Sequence, residues 1–406
     1  MEKKLRFVIV GHIDHGKSTL IGRLLFDTNS LPDGAMEEIQ KAGEMLGRKV
    51  EFAHIMDHLS EEREKGITID TTQVFFKNKG KEYVIIDAPG HKEFLKNMIT
   101  GASQAEAAIL MLDVNEGIME QTKRHAYMLN LLGIKQVVVA MNKMDLVDYS
   151  QERFEKVKNE FSKFLDSVNV KPAYFIPISA FNGENVVKKS DKMRFYSGPT
   201  LLEALDSFKK KKENEEEDVI FAVQDVYDID GRKIIAGMVE SGKINSGDFL
   251  IVLPSKKEIK ISTIEKFKER ISSASTGESI GITSDSEAKR GDIICSKSSR
   301  LRAKTEFNAN VFWLSPSPLK RGEKITLQIA TQEVGCFIAK IGRRINSSTL
   351  DAVENSEILE ETEVGEVTIK TEKPVAVENF SDAEELGRFV LIKNQDISGG
   401  GIVTEK

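Results

Sequence analysis

An α/β domain followed by two all-β barrel domains is the fold this sequence predicts, and three observations carry the prediction. From Lys4 to about Phe208, short apolar runs alternate with helical patterns. A charged block, KKKKENEEED, interrupts at 209–218. Beyond it the helical period gives way to short β-rich runs separated by turn signals.

The runs LRFVIV, YVIIDAP, AAILMLDV, QVVVAMNK and AYFIPIS read as strands, with STLIGRLLF and QTKRHAYMLNLLG as intervening helices. Strands that are apolar throughout, rather than at alternate positions, belong to a mostly parallel sheet with helices on both faces. The charged block has no apolar anchor and reads as a solvated linker. After it, IFAVQDVYDI, KIIAGMVESG, FLIVLP and EIKISTIEKF are divided by Gly-Asp, Asn-Ser-Gly and Pro-Ser turns, the pattern of a closed barrel. FNANVFWLS, KITLQIA, GCFIAKIG, EVTIKT and RFVLIKN form a second all-β stretch. The expected divisions are a first domain at 1–210, a linker at 211–218, and β-barrel domains at 219–300 and 301–406.

Composition narrows the class. A chain of 406 residues, 40% apolar and 30% charged, has the balance of a globular protein with more than one core. Its formal net charge of -6 supplies no general attraction for phosphate backbones, so a nucleic-acid partner is not expected. The two cysteines, Cys295 and Cys336, sit in apolar strand-like runs and are expected as buried thiols. The N-terminal MEKKLRFVIVG has an uninterrupted apolar run of only four residues, Phe7 to Val10, shorter than a secretory signal needs. No stretch reaches the roughly eighteen apolar residues of a spanning helix. A cytoplasmic location without membrane contact is the expectation.

Gly11-His12-Ile13-Asp14-His15-Gly16-Lys17-Ser18 fits G-x-x-x-x-G-K-[ST] between a strand and a helix, the context a P-loop requires. There the backbone N–H groups of Asp14, His15, Gly16, Lys17, Ser18 and Thr19 can curl around phosphates. The Lys17 ammonium can reach the β and γ phosphates and the Ser18 hydroxyl can ligate Mg²⁺. Asp87-Ala88-Pro89-Gly90 follows the strand EYVIID, so Asp87 can hold Mg²⁺ through water while the Gly90 N–H senses a γ-phosphate. Thr68, in REKGITID, can give its hydroxyl to the same ion and its backbone to the γ-phosphate, an arrangement released on hydrolysis. His91 follows the sensing glycine and can position the attacking water. The other histidines, His12, His15, His54, His58 and His125, read as packed or solvated side chains without metal-ligand company.

Asn142-Lys143-Met144-Asp145 follows the strand QVVVAM. A carboxylate accepts two hydrogen bonds from guanine, from N1–H and from the exocyclic amine, a pattern adenine cannot offer; Asp145 therefore selects guanine. Ser179-Ala180-Phe181 would complete the base pocket with backbone N–H groups. The first domain is thus expected to be a P-loop GTPase domain with GTP or GDP and Mg²⁺ as cofactors.

These residues give the chain a resemblance to the translation-factor class of GTPases, carried by GHIDHGKST, REKGITID, DAPGHKEFLKNMITGASQAEAAIL, NKMDLV and ISAFNGEN. Within that class the β stretches IIAGMVESGKINSGDFLIVLPSKKEIKISTIEKF, SEAKRGDIICS, VFWLSPSPLKRGEKITLQIAT and FVLIKNQDISGGGIV look similar to those of the GTPase subunit of bacterial sulfate adenylyltransferase. The Gly-Tyr and Pro-Val-x-Asp-Cys-His-Thr run with which elongation factors bind aminoacyl-tRNA is not found. His15 departs from this pattern, since the sulfate family often has a second acidic residue there and elongation factors do not. No second P-loop for an adenylylsulfate kinase follows the second barrel. The resemblance implies coupling of GTP hydrolysis to synthesis of adenosine 5'-phosphosulfate from ATP and sulfate on a catalytic small subunit. The alternative it leaves open is an elongation-factor-like GTPase that delivers aminoacyl-tRNA or serves another partner.

Overall fold

The computed structural model describes residues 4–12, 14–31, 73–87, 105–208, 217–229, 231–266, 269–347 and 349–404. They fall into two compact units, one ending in the charged block and one beginning there.

The first unit is built on a six-stranded sheet of β1 (Leu5–Gly11), β2 (Gln73–Asn78), β3 (Lys81–Asp87), β4 (Ala107–Asp113), β5 (Gln136–Asn142) and β6 (Tyr174–Pro177), in the order β2-β3-β1-β4-β5-β6. All neighbours pair in parallel except the edge strand β2, which runs antiparallel to β3. Every residue of β4 is buried, as is β5 beyond Gln136, which is why these runs are apolar without alternation. One face, through Phe7, Ile9, Ile109, Met111 and Val138, packs on α1 (Lys17–Asp27) and on α4, the helix Leu201–Ser207. Residues of the opposite parity, such as Val8, Val10, Leu110, Leu112 and Val139, are buried as well, so both faces of the sheet are covered.

Among the described residues the unit has two further helices, α2 (Glu120–Leu131) and α3 (Gln151–Ser167). α3 starts where the Ser150 hydroxyl accepts the Arg153 N–H, and it buries Phe154, Val157, Phe161 and Leu165 along one stripe. Each such side chain contributes about 1.5–3 kcal/mol of burial. The sequence reading quoted neither α3, α4 nor β2. Because β2 runs antiparallel at the edge and exposes alternate residues, with Phe75 and Lys77 outward, it lacks the continuous apolar signature of its neighbours.

The second unit holds two closed rings. In the first, Phe249–Leu253, Ile293–Cys295, Ile220–Ile229, Arg232–Ser241, Ser279–Ser284 and Lys257–Lys266 pair in succession, and the last pairs back with the first. The second ring runs Lys324–Ile329, Arg388–Lys393, Asp396–Thr404, Arg302–Trp313, Glu363–Val377 and Gln332–Asn346, closed by pairing of its first and last strands. Inward residues such as Phe221, Val252 and Ile261 fill one interior, and Val311, Trp313 and Leu327 the other. Ile220, Leu253, Ile293 and Cys295 of the first ring share a smaller core with Leu301, Ala376 and Leu386 of the second. Cys295 and Cys336 are free and buried, as expected, and burial pushes their thiols up to about 11 and about 12. Among the described residues no helix is long and apolar enough to cross a membrane.

One acid of this unit is held neutral near pH 7 by its surroundings. Glu240 has a buried Oε2 with no hydrogen-bond partner among the described residues, and burial, reinforced by the Glu385 carboxylate on the short helix α5 (Glu384–Gly387), pushes its carboxyl up to about 8. The folded state therefore holds a proton that the unfolded chain releases near 4.5. Stability from this group is complete below that value and is lost as pH rises through about 8. Chemical denaturation of the full chain between pH 5 and 9 is expected to show a decline on the order of 2 kcal/mol, discounted for partial exposure of the side chain. Glu240→Gln should flatten it; an unchanged slope in that variant assigns the decline to other groups.

Candidate functional site

β1, β3, β4 and β5 end on one edge of the sheet with Gly11, Asp87, Asp113 and Asn142, and Ser179 lies just beyond β6. Chain direction puts those ends together, and the connections leave β1 toward β3 on one side and β4 on the other, the place where open α/β sheets accept ligands.

The phosphate loop leaves β1 and turns on two residues with positive φ, Asp14 at 65° and Gly16 at 90°. Gly16 is the N-cap of α1, and no side chain caps that helix, which has no acid in its first turn. The first N–H groups of a helix have no partner within it, so this end offers donors and positive partial charge to an anion. A Cβ at Gly16 would lie 2.5 Å from Asn142 Nδ2, so only glycine serves there. The Lys17 ammonium donates to the carbonyls of Gly11 at 2.8 Å and His12 at 2.9 Å, arching back over the loop. Ser18 is exposed in the first turn and Thr19 is partly buried beside it.

His15 is fully buried, its Nδ1 lies 3.3 Å from the Met111 carbonyl, and its Nε2 faces Glu116 Oε2 at 3.5 Å. Burial lowers its pKa against the upward pull of the Met111 carbonyl, Asp113 and Glu116, so the ring is neutral near pH 7.

Asn142 joins the predicted motifs physically. Its Nδ2 donates to the His15 carbonyl at 2.8 Å, and its Oδ1 accepts the Ala180 N–H at 2.9 Å, both within buried surroundings. Lys143 then adopts φ 64° and opens a 3-10 turn, Met144–Val147, in which the buried Met144 donates to the Ile178 carbonyl at 3.2 Å. That anchor leaves Asp145 partly exposed and Leu146 exposed on the outer side. Ser179 is buried and its hydroxyl accepts the Asn182 N–H, while Phe181 is exposed. Behind this loop Gly183, at φ 77°, lies so close to Arg23 of α1 that a Cβ would collide with the guanidinium at 2.3 Å.

The structure thus brings together Gly16, Asn142, Ala180 and the His15 backbone, and places Lys17, Lys143 and Asp145 around them. Asp87 ends β3, paired with Ile9 of β1; its backbone is described and its side chain is not. Thr68, Gly90 and His91 lie outside the described residues. Asp113 went unnamed in the sequence reading although it ends AAILMLD as Asn142 ends QVVVAMN. The same strand-end rule would have found it.

Comparison with known proteins decides the family. The model of the elongation factor Tu GTP binding domain matches residues 2–211, and that of the GTP-eEF1A C-terminal domain-like family matches 306–404. Elongation factor 1-alpha of Pyrococcus furiosus is 40% identical over 403 residues, covering 95% of this chain and 94% of its own. The chain belongs to the elongation factor Tu and 1-alpha family of GTPases. Elongation factor 1-alpha of Thermoplasma volcanium is 38% identical with 95% and 94% coverage. As a member of this family the chain binds GTP and GDP and is a GTPase.

Membership corrects two expectations. Full-length likeness to proteins named elongation factor 1-alpha overturns the reading as a sulfate adenylyltransferase subunit, and with it the catalytic small subunit as partner. The barrel strings on which that reading rested are alternating strands and turns, a pattern that any small closed barrel of this kind needs. His15 in the phosphate loop pointed the other way and was the better signal. The expectation that nucleic acid is an unlikely partner falls with the same finding, because net charge averages over surfaces and says nothing of one face.

Proposed function

We propose that the chain is a translation elongation factor that carries aminoacyl-tRNA to the ribosome in its GTP state and lets go after hydrolysis. The observation that carries this reading is the 40% identity to elongation factor 1-alpha across the GTPase unit and both barrels. The test is retention of aminoacyl-tRNA by the purified chain in GTP and in GDP. Retention in GTP only, falling steeply with salt as released counterions require, supports the reading. Equal retention in both states, or none in either, sinks it.

In this reading the backbone of Asp14 to Thr19 holds the phosphates and Lys17 leaves its carbonyl partners for the β and γ oxygens. Asn142 fixes the base loop to the phosphate loop, Asp145 reads guanine, and Ser179, Ala180 and Phe181 wall the base. Hydroxyl and carboxylate oxygens from Ser18, Thr68 and Asp87 suit a hard divalent ion, and Ser18 stands in the uncapped first turn of α1. Mg²⁺, when bound, would offset charge on the phosphate oxygens. Gly90 senses the third phosphate and His91 orients the attacking water. His91→Ala is expected to lower single-turnover GTP hydrolysis by about tenfold or more while GTP affinity stays nearly constant. Unaltered turnover removes His91 from the mechanism.

A further inference from the structure

Asp113 is 1% exposed at the end of β4, and its two oxygens do different jobs. Oδ1 accepts the N–H groups of Asn115 at 2.8 Å and Glu116 at 3.3 Å, holding the turn that follows the strand. Oδ2 lies 2.7 Å from the Lys143 ammonium. The turn is braced from outside, since Arg153 donates from Nε to the Val114 carbonyl at 2.8 Å and from Nη2 to that of Asn115 at 2.9 Å. It is also tied to the base loop directly, through the Val114 N–H on the Asn142 carbonyl at 3.0 Å. The carboxylate is therefore a fixed point, and Lys143, whose side chain is only 27% exposed, is drawn to it.

A turn of this kind needs one acceptor, and a neutral amide oxygen would supply it. Burying a full negative charge costs several kcal/mol unless a partner offsets it, so the charge at Asp113 answers to Lys143 and not to the turn. Lys143 in turn occupies the positive-φ position from which the 3-10 turn bearing Asp145 departs. Fixing the end of the Lys143 side chain narrows the orientations open to that departure.

We propose that Asp113 is a positioning residue for guanine recognition, holding Lys143, and through it the turn that carries Asp145, in the binding arrangement. This rests on the reading of Asn142 to Asp145 as the base-recognition loop. The same turn reaches the phosphate loop, where Glu116 faces His15, so it stands between the two halves of the site.

The test is a double-mutant cycle on the full chain, read as the Kd of GDP by displacement of a fluorescent GDP. Asp113→Asn keeps the volume and the Oδ1 acceptor, removes the charge, and replaces the Oδ2 acceptor facing Lys143 with an NH₂ donor. It is expected to raise the Kd about tenfold, and Lys143→Met to raise it by a similar or larger factor. The double variant should be no more than about twofold weaker than the weaker single, because both changes break one interaction. Losses that multiply overturn the proposal, since a merely structural role for Asp113 is independent of Lys143. So does an Asp113→Asn variant with normal affinity beside a weakened Lys143→Met. Normal affinity in Lys143→Met overturns the reading of the base loop itself and the proposal with it. Asp113→Ala, which also loses the turn, serves as the variant in which stability is expected to fall.

Discussion

Asp145→Asn is expected to exchange guanine for xanthine as the preferred base, with affinity for GTP falling by about 10²–10³ and xanthosine triphosphate bound in its place. In the proposed reading the carboxylate would accept from N1–H and from the exocyclic amine of guanine, two charge-assisted bonds worth about 1.5–3 kcal/mol each. An amide in the same position still accepts from N1–H, but its NH₂ group now opposes the exocyclic amine, donor against donor. Xanthine carries a carbonyl there and restores the pairing. The turn around Asp145 tolerates the change, because it is anchored by the buried Met144 and by the positive φ of Lys143 and not by the carboxylate. Competition binding with both triphosphates measures the exchange, and equal loss of both nucleotides would show that Asp145 holds the loop and does not read the base.

Asn142→Ala is expected to be the most damaging single change to the site frame. It removes two buried hydrogen bonds and leaves the His15 carbonyl and the Ala180 N–H without that partner. Each buried group stranded in this way costs about 1–3 kcal/mol, so a total of about 2–6 kcal/mol is expected. GDP affinity should fall by about a hundredfold, with a lower thermal midpoint at saturating GDP. Asn142→Asp is no rescue. It can accept from Ala180 but sets a carboxylate oxygen against the His15 carbonyl, so it should resemble the alanine variant. Wild-type affinity in Asn142→Asp would show that the contact to His15 contributes nothing.

How far the sequence could be read follows from where each interaction lies along the chain. The phosphate loop and the Asn142–Asp145 motif are legible because their residues are consecutive and their strand context is visible as continuous apolar runs. The bonds that join them are not, since His15 and Asn142 stand 127 positions apart and Asn142 and Ala180 stand 38 apart. Asp113 is hidden for a related reason: a single aspartate after a strand is unremarkable until Lys143 is seen beside it. The barrels show as strands and turns, and their closure follows from the fold class, but the partner they serve depends on surface chemistry that strand periodicity does not encode. Glu240 gives no sequence signal either, because its neutral state arises from burial that exists only in the folded chain, reinforced by the Glu385 carboxylate of α5.

The contact of Gly183 with Arg23 has a bearing on how the two nucleotides are told apart. α1 begins at the phosphate loop, and Gly183 lies three residues past Ala180, so helix and base loop meet behind the site, where a methyl group at Gly183 would have to displace the Arg23 guanidinium. Together with Asn142 this makes a bracket that, in the proposed reading, would hold features GTP and GDP have in common, the base and the first two phosphates. Of that bracket, the Lys17 ammonium is the part that would extend to the third phosphate. In the proposed reading the rest of the discrimination would fall to Thr68 and Gly90, so affinity and switching should be separable by substitution.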